Sequence, residues 1–188
     1  MAVSTASARR ARQQGFSLIE VSIVTAIILL VAVIGIPAIG GYVIENKVPR
    51  VGEELTRFIL QARVNANTGD VPPYESLSTA SLANMMADST VLTVAADGSV
   101  RHGLGGQGVV QIETVESGAG FVVRLNAVNH AACPSIASVL QRVADSITVG
   151  QGAGQGRVVK DASTTYSALA AESACARGDV NQFAFYAR

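Results

Sequence analysis

The fold is decided by residues 15–44, GFSLIEVSIVTAIILLVAVIGIPAIGGYVI, an apolar stretch that contains a single carboxylate, Glu20. Its uninterrupted part, Ala26 to Val43, has about the length that a helix needs to cross the hydrocarbon core of a bilayer. We therefore expect a transmembrane helix over residues 16–44. A carboxylate inside such a helix is costly unless it is paired, which makes Glu20 a candidate functional residue. The alternative is an interfacial residue whose side chain extends to the lipid headgroups.

The charges that flank this stretch predict its orientation. Arg9, Arg10 and Arg12 precede it, and the next arginine is Arg50, which places the N-terminus in the cytoplasm and the body outside. An ordinary secretory signal has a shorter apolar region and is cleaved after it. Here the expected cleavage point, Gly15-Phe16, comes before the apolar region. We expect a cleaved leader at 1–15, an anchoring helix at 16–44 and an extracytoplasmic body at 45–188.

The hexapeptide Gly15-Phe16-Ser17-Leu18-Ile19-Glu20 resembles the signature of type IV prepilins, and the similarity continues through the apolar residues to Pro37. In that family a dedicated peptidase cuts after the glycine and methylates the new N-terminus. The resemblance implies that Phe16 is that methylated N-terminal residue here. The resemblance also implies that Glu20 lies beside the N-terminal amine of a neighbouring subunit and sets the register of a filament. Such pairing would offset the desolvation cost of both charges.

The middle of the same helix contains four residues that weaken helical structure. They are Gly35, Pro37, Gly40 and Gly41. Proline removes a backbone hydrogen bond and glycine has a low helix propensity, so we expect a kink or local melting between residues 35 and 41. Similar pilins lose helical structure in this region when they assemble.

The body reads as an α+β domain, a long helix packed on an antiparallel β-sheet, which the resemblance identifies with the pilin fold. Helical spacing predicts that the first helix continues to about Asn67-Thr68-Gly69, with ion pairs Arg50–Glu54 and Glu53–Arg57 on its exposed side. Its predicted buried stripe is Val48, Val51, Leu55, Phe58, Ile59 and Ala62. Strands are predicted at 91–95, 109–115, 121–128, 157–159 and 182–186, and helices at 82–86, 133–147 and 167–173.

Cys133 and Cys175 are the two cysteines of the chain. In an exported protein this count predicts one disulfide, and the alternative is two unrelated buried thiols. In pilins a C-terminal disulfide bounds an exposed variable region. A long helix inside that loop is similar to the type IVb group, whereas Phe16 as the first mature residue is the type IVa choice.

The remaining motifs predict neither catalysis nor a cofactor. The chain has no net charge, so nucleic-acid binding is not indicated. The glycine-rich segment 150–156 lacks the lysine of a phosphate-binding loop and is expected to be a flexible connection. His102 and His130 are isolated and are expected at the surface or at strand ends, without metal. Arg177-Gly178-Asp179 is expected to form a turn rather than an adhesive site.

The expected function is that of a structural pilus subunit on the cell surface. Its expected partners are other copies of the chain, the prepilin peptidase, the inner-membrane assembly machinery and, before assembly, membrane lipid. One alternative is a type II secretion pseudopilin, which shares the N-terminus but forms a periplasmic pseudopilus. A minor pilin that primes assembly and a membrane-tethered enzyme are further alternatives, although no catalytic motif supports the last.

Overall fold

The structure is a computed structural model that describes residues 15–66, 68–69, 71–152 and 156–188. Residues 1–14 of the expected leader therefore lie outside the described residues. The chain divides into two compact units, one that ends at Ile39 and one that spans Gly40–Arg188. Helix α1, Leu18–Val64, contains the end of the first unit and the beginning of the second.

The second half of α1 supplies the centre of the body's core. All six residues of the predicted stripe are buried, because their spacing of three and four places them on one helix face. The helix ends at Val64, a few residues before the predicted Asn67-Thr68-Gly69. The predicted ion pair of Arg57 with Glu53 is wrong. Arg57 instead pairs with Glu54 at 2.6 Å, because residues three apart are also neighbours on a helix surface.

A seven-stranded antiparallel sheet completes the body and confirms the α+β class. Its order is β1-β2-β3-β4-β7-β5-β6. The strands are β1 Thr93–Val94, β2 Val100–Arg101, β3 Val109–Val115, β4 Gly120–Val128, β5 Ser146–Gln151, β6 Arg157–Lys160 and β7 Asn181–Ala187. The remaining helices are α2 Thr79–Met85, α3 Cys133–Leu140 and α4 Ala168–Ala174, and a 3-10 turn spans Glu116–Gly118.

The second long helix was predicted incorrectly. Helix α3 ends at Leu140, and Ile147 lies in β5. Val143 and Ile147 are both buried, and their spacing would place them on one face of a helix. Val143 in fact lies in a turn and Ile147 in a strand, which is why the prediction failed. The C-terminal end of α3 is closed by Lys160, whose Nζ donates to the carbonyl oxygens of Gln141 at 2.5 Å and Ala144 at 2.6 Å. A cation is favourable at this end of a helix.

Helix α1 meets the rest of the body through close packing. The ring of Phe58 contacts that of Phe121 edge-on, with centroids 6.4 Å apart. At Gly52 a Cβ would lie 2.5 Å from Cγ1 of Val139, so α1 and α3 approach more closely than any other residue at this position would allow. Burial of a large apolar side chain contributes about 1.5–3 kcal/mol to stability, which makes this interface a main source of stability for the body.

His102 directly follows β2, which agrees with the expected strand-end position, but it is fully buried and does not lie at the surface. Its Nδ1 accepts a hydrogen bond from the Leu104 amide at 3.0 Å, which leaves Nε2–H to donate to the Asn126 carbonyl at 2.8 Å. Burial lowers the pKa of His102 below its ordinary value of 6.5, and the bond to Asn126 opposes this shift only in part. Two satisfied ring nitrogens allow a neutral imidazole to be buried among the loops before β3.

Candidate functional site

The candidate site is the first half of α1, which begins at Leu18 and contains Glu20 in its first turn. A carboxylate there interacts favourably with the positive end of the helix dipole. The apolar side chains around it are exposed; Phe16 is 82% and Leu18 90% accessible. Among the described residues, α1 is the one helix whose length and apolar composition would allow it to cross a membrane.

Glu20 differs from the other polar side chains in this half of the helix. Ser22 Oγ donates to the Ile19 carbonyl at 2.8 Å, and Thr25 Oγ1 donates to the Val21 carbonyl at 2.8 Å. These hydroxyls are therefore satisfied within the helix. Within the described part of the chain, the Glu20 carboxylate accepts no side-chain hydrogen bond and forms no ion pair. In a bilayer or a packed helix bundle its charge would need a partner.

The expected weak segment of the helix is helical in the single chain. Helix α1 continues through Gly35, Pro37, Gly40 and Gly41. A Cβ at Gly35 or Gly40 would meet nothing within 4 Å, so close packing inside this chain does not require glycine at either position. A kink or melting on assembly stays a prediction.

The disulfide joins Cys133 to Cys175, as predicted, with an S–S distance of 2.02 Å. Cys133 is the first residue of α3 and Cys175 directly follows α4. The bond therefore closes a loop that contains α3, β5, β6 and α4. Since β5 pairs with β7, this loop is also part of the main sheet.

Asn181, at the start of β7, fixes the chain segment that follows Cys175. The sequence did not lead us to predict this structural role. The Asn181 side chain is fully buried. Its Nδ2 donates to the carbonyls of Val128 at 3.0 Å and Ala176 at 2.9 Å, and its Oδ1 accepts from the Ala176 amide at 2.7 Å. Asparagine in a strand is uncommon, which is the signal that sequence reasoning had available.

The Arg-Gly-Asp tripeptide serves the fold, which agrees with the expected turn. Asp179 accepts hydrogen bonds from the Gly106 amide at 2.7 Å and from the Asn129 side chain. The Gly178 carbonyl accepts from the His130 amide at 3.0 Å, and Gly178 has a φ of +89°, which favours glycine. The Asp179 carboxylate is thus already engaged on both oxygens.

Comparison with protein families gives two matches. The family model described as "PilS N terminal" matches residues 50–187. The model described as "Prokaryotic N-terminal methylation motif" matches residues 10–36, a range that includes Gly15, Phe16 and Glu20. The first match covers most of the body, and the second covers the start of the candidate site. Comparison with curated proteins found no match.

Comparison with solved structures finds type IV pilins. A type IVb pilin from Salmonella typhi is 16% identical over 72% of this chain and 94% of that chain, with a TM-score of 0.51. TcpA, a type IV pilin from the Vibrio cholerae El Tor biotype, is 13% identical over 77% of this chain and 99% of that chain, with a TM-score of 0.48. At this identity the Salmonella structure supports the fold alone. The chain belongs to the PilS N-terminal family, carries a prokaryotic N-terminal methylation motif and has a fold found in type IVb pilins.

Proposed function

We propose that this protein is a structural subunit of a type IV pilus, polymerised through the first half of α1. The observation that carries the proposal is an exposed apolar helix with one carboxylate, Glu20, that has no partner among the described residues. Exposed apolar surface on this scale marks an interaction site. In the membrane, lipid covers the helix; in a filament, the same helices of other copies cover it.

Processing by a prepilin peptidase completes the proposed site. Cleavage between Gly15 and Phe16 would create a positive amine four residues before Glu20, and methylation would leave that amine charged. In a bundle of apolar helices this amine and the Glu20 carboxylate of a neighbouring copy offset each other's desolvation. A copy out of register would leave a buried charge unpaired, so the pair selects one stagger between subunits.

The proposed course begins at the inner membrane, where α1 anchors the subunit and the assembly machinery engages it. The body lies outside the cytoplasm, where oxidising conditions permit the Cys133–Cys175 bond. Assembly then transfers the helix from lipid into the filament. The glycines and proline at residues 35–41 are proposed to let the helix bend or melt during this transfer.

The first prediction concerns Glu20. Glu20→Ala removes the proposed partner of the N-terminal amine and should weaken each subunit contact by about 1.4 kcal/mol, or tenfold in its association constant, so we expect far fewer surface filaments. The measurement is electron microscopy with quantification of sheared filaments. Glu45→Ala is the matched control, because Glu45 is an exposed glutamate of the same helix. Normal filament numbers in Glu20→Ala, with normal subunit levels, would refute the register role.

The second prediction concerns processing and location. Mass spectrometry of the mature subunit should find an N-terminus at a singly methylated Phe16, and Gly15→Val should leave the precursor uncut in the membrane. Ser17→Ala, next to the same bond, is the control and should be processed normally. Recovery of the wild-type protein from sheared surface filaments supports a pilus. Recovery from periplasmic assemblies alone would instead favour the secretion pseudopilus.

A further inference from the structure

The outward face of the sheet carries a row of polar side chains around one small residue. The register places Gln111 opposite Arg124, Arg124 opposite Ala184 and Ala184 opposite Thr148. Side chains alternate between the two faces of a strand. The residues on either side of Ala184, Phe183 and Phe185, are buried in the core, so this row points away from it.

Three adjoining shallow hollows, open to solvent, lie on this face. The first and second share Arg124, Thr148 and Ala184, while the first and third share Asn126 and Gln182. They therefore form one continuous depression with Ala184 on its floor. We call it the outer trough and define it by Gln111, Arg124, Thr148, Gln182, Ala184 and Tyr186.

Among its described residues the trough carries one cation, Arg124, and the carboxylates of Glu113, Glu116 and Asp179 lie around it. The Arg124 Nε donates to Glu113 Oε2 at 2.8 Å, and the two side chains are 45% and 49% exposed. This bond orients the guanidinium, and Glu113 offsets part of its charge. Its terminal amino groups donate no hydrogen bond to the described residues and remain available to an oxygen acceptor. The amides of Gln111 and Gln182 and the hydroxyl of Thr148 add uncharged donors and acceptors beside it.

Tyr186 provides an aromatic surface at one end of the trough. Its hydroxyl donates to Glu116 Oε2 at 2.9 Å. Its ring lies against Gly120, where a Cβ would come within 2.7 Å of the hydroxyl oxygen and 2.8 Å of Cε2. The absence of a side chain at Gly120 lets the ring lie along the sheet, and the Glu116 bond fixes it there.

We propose that the outer trough binds a neutral saccharide. A sugar presents hydroxyl groups that both donate and accept, which matches amides, a hydroxyl and an arginine, and its C–H groups pack on an aromatic face. A nucleic acid would require net positive charge, which the described residues of the trough lack. The site lies in the second unit, so binding does not depend on polymerisation.

The test uses the full chain, labelled with ¹⁵N, in phosphocholine detergent micelles, which contain no sugar. Maltotriose, tri-N-acetylchitotriose and lacto-N-tetraose are titrated as neutral probes, with 3′-sialyllactose and a heparin tetrasaccharide as acidic ones. We expect at least one neutral probe to shift the amide signals of β4, β5 and β7 at millimolar concentration or below. Gln182→Ala should raise its dissociation constant about fivefold, as the loss of one hydrogen bond would.

Two further variants make the outcome decisive. Ala184→Leu fills the floor of the trough and should abolish binding, while Gln61→Ala, the same amide loss on the exposed side of α1, should leave it unchanged. The proposal is overturned if no neutral probe binds, if only acidic probes bind, or if Ala184→Leu and Gln182→Ala bind as well as the wild type. Unchanged spectra outside the trough check that each variant is folded.

Discussion

At the scale of single residues, His102 makes the stability of the body depend on pH. The neutral ring accepts from the Leu104 amide, and protonation of Nδ1 would remove that acceptor. Because the folded state lowers the pKa of His102, the unfolded chain binds more protons between the folded pKa and about 6.5. The contribution of this residue is therefore fully present above that range and is lost as the pH falls through it.

We predict that the free energy of unfolding decreases by up to about 1.4 kcal/mol per pH unit as the pH falls below 6.5. Urea unfolding at pH 7.5 and 5.0 measures the change. His102→Asn should flatten the dependence and His130→Asn should not. Asp97 and Asp161 also have lowered pKa values, from hydrogen bonds with Ser99 and with Ser163 and Thr164. Both carboxylates remain in the His102→Asn variant, so a slope unchanged in that variant would refute the assignment.

Single residues also show what the sequence could predict. The apolar stripe of α1 was correct because spacing alone determines which residues share a helix face. His102 and Asn181 were not predicted to be buried, because their burial depends on carbonyl groups supplied by Asn126, Val128 and Ala176. Such partners are set by tertiary structure, and the residue type gives no indication of them.

At the scale of elements, the disulfide stabilises a loop of otherwise short structures. Helix α4 has 7 residues and β6 has 4, and helices this short are unstable alone. The cysteines are 42 residues apart. Chain entropy assigns to a bond that closes such a loop a stabilisation of about 4 kcal/mol.

We predict that the Cys133→Ser/Cys175→Ser variant loses about 4 kcal/mol of unfolding free energy, measured by denaturant titration. Hydrogen exchange should increase most in α4 and least in β3 and β4, which pair with each other outside the loop. Reduction of the wild-type protein should reproduce both changes and serves as the control. Equal exchange in α4 with and without the bond would show that the helix does not depend on it.

The strands also show where prediction from residue periodicity fails. Strand β3 was predicted with its observed bounds because its apolar and polar residues alternate, whereas β5 was assigned partly to a helix. The apolar residues Ile147 and Val149 of β5 follow Val143 at spacings that fit both the helical and the strand periodicity. The sheet partner β7 decides between them, and that partner is more than thirty residues further along the chain.

At the scale of the whole molecule, the two units differ in how their apolar side chains are buried. Every fully buried apolar side chain of the described residues lies at Val48 or beyond. The core of the body is therefore built from residues of the second unit. The apolar helix and the α+β body were both predictable from the sequence pattern, since one is continuously apolar and the other is periodic.

We predict that a fragment of residues 45–188, exported to the periplasm, is soluble without detergent, forms the Cys133–Cys175 bond and unfolds cooperatively. Dispersed amide spectra and a monomeric mass in solution would show this. The full chain, as the comparison, should require detergent. Poor spectral dispersion in the oxidised fragment would mean that the body needs the first half of α1 to fold.

The position of β7 in the sheet has a consequence for the order of folding. This strand follows all the others along the chain but lies between β4 and β5, so it joins the β5–β6 hairpin to the rest of the sheet. Until residues 181–187 are in place, the sheet consists of two separate parts, β1–β4 and β5–β6, with unpaired strand edges. Exposed edges of this kind recruit other chains, and long-range strand pairing is slow. The folding chain is thus most vulnerable to aggregation immediately before its last strand is inserted.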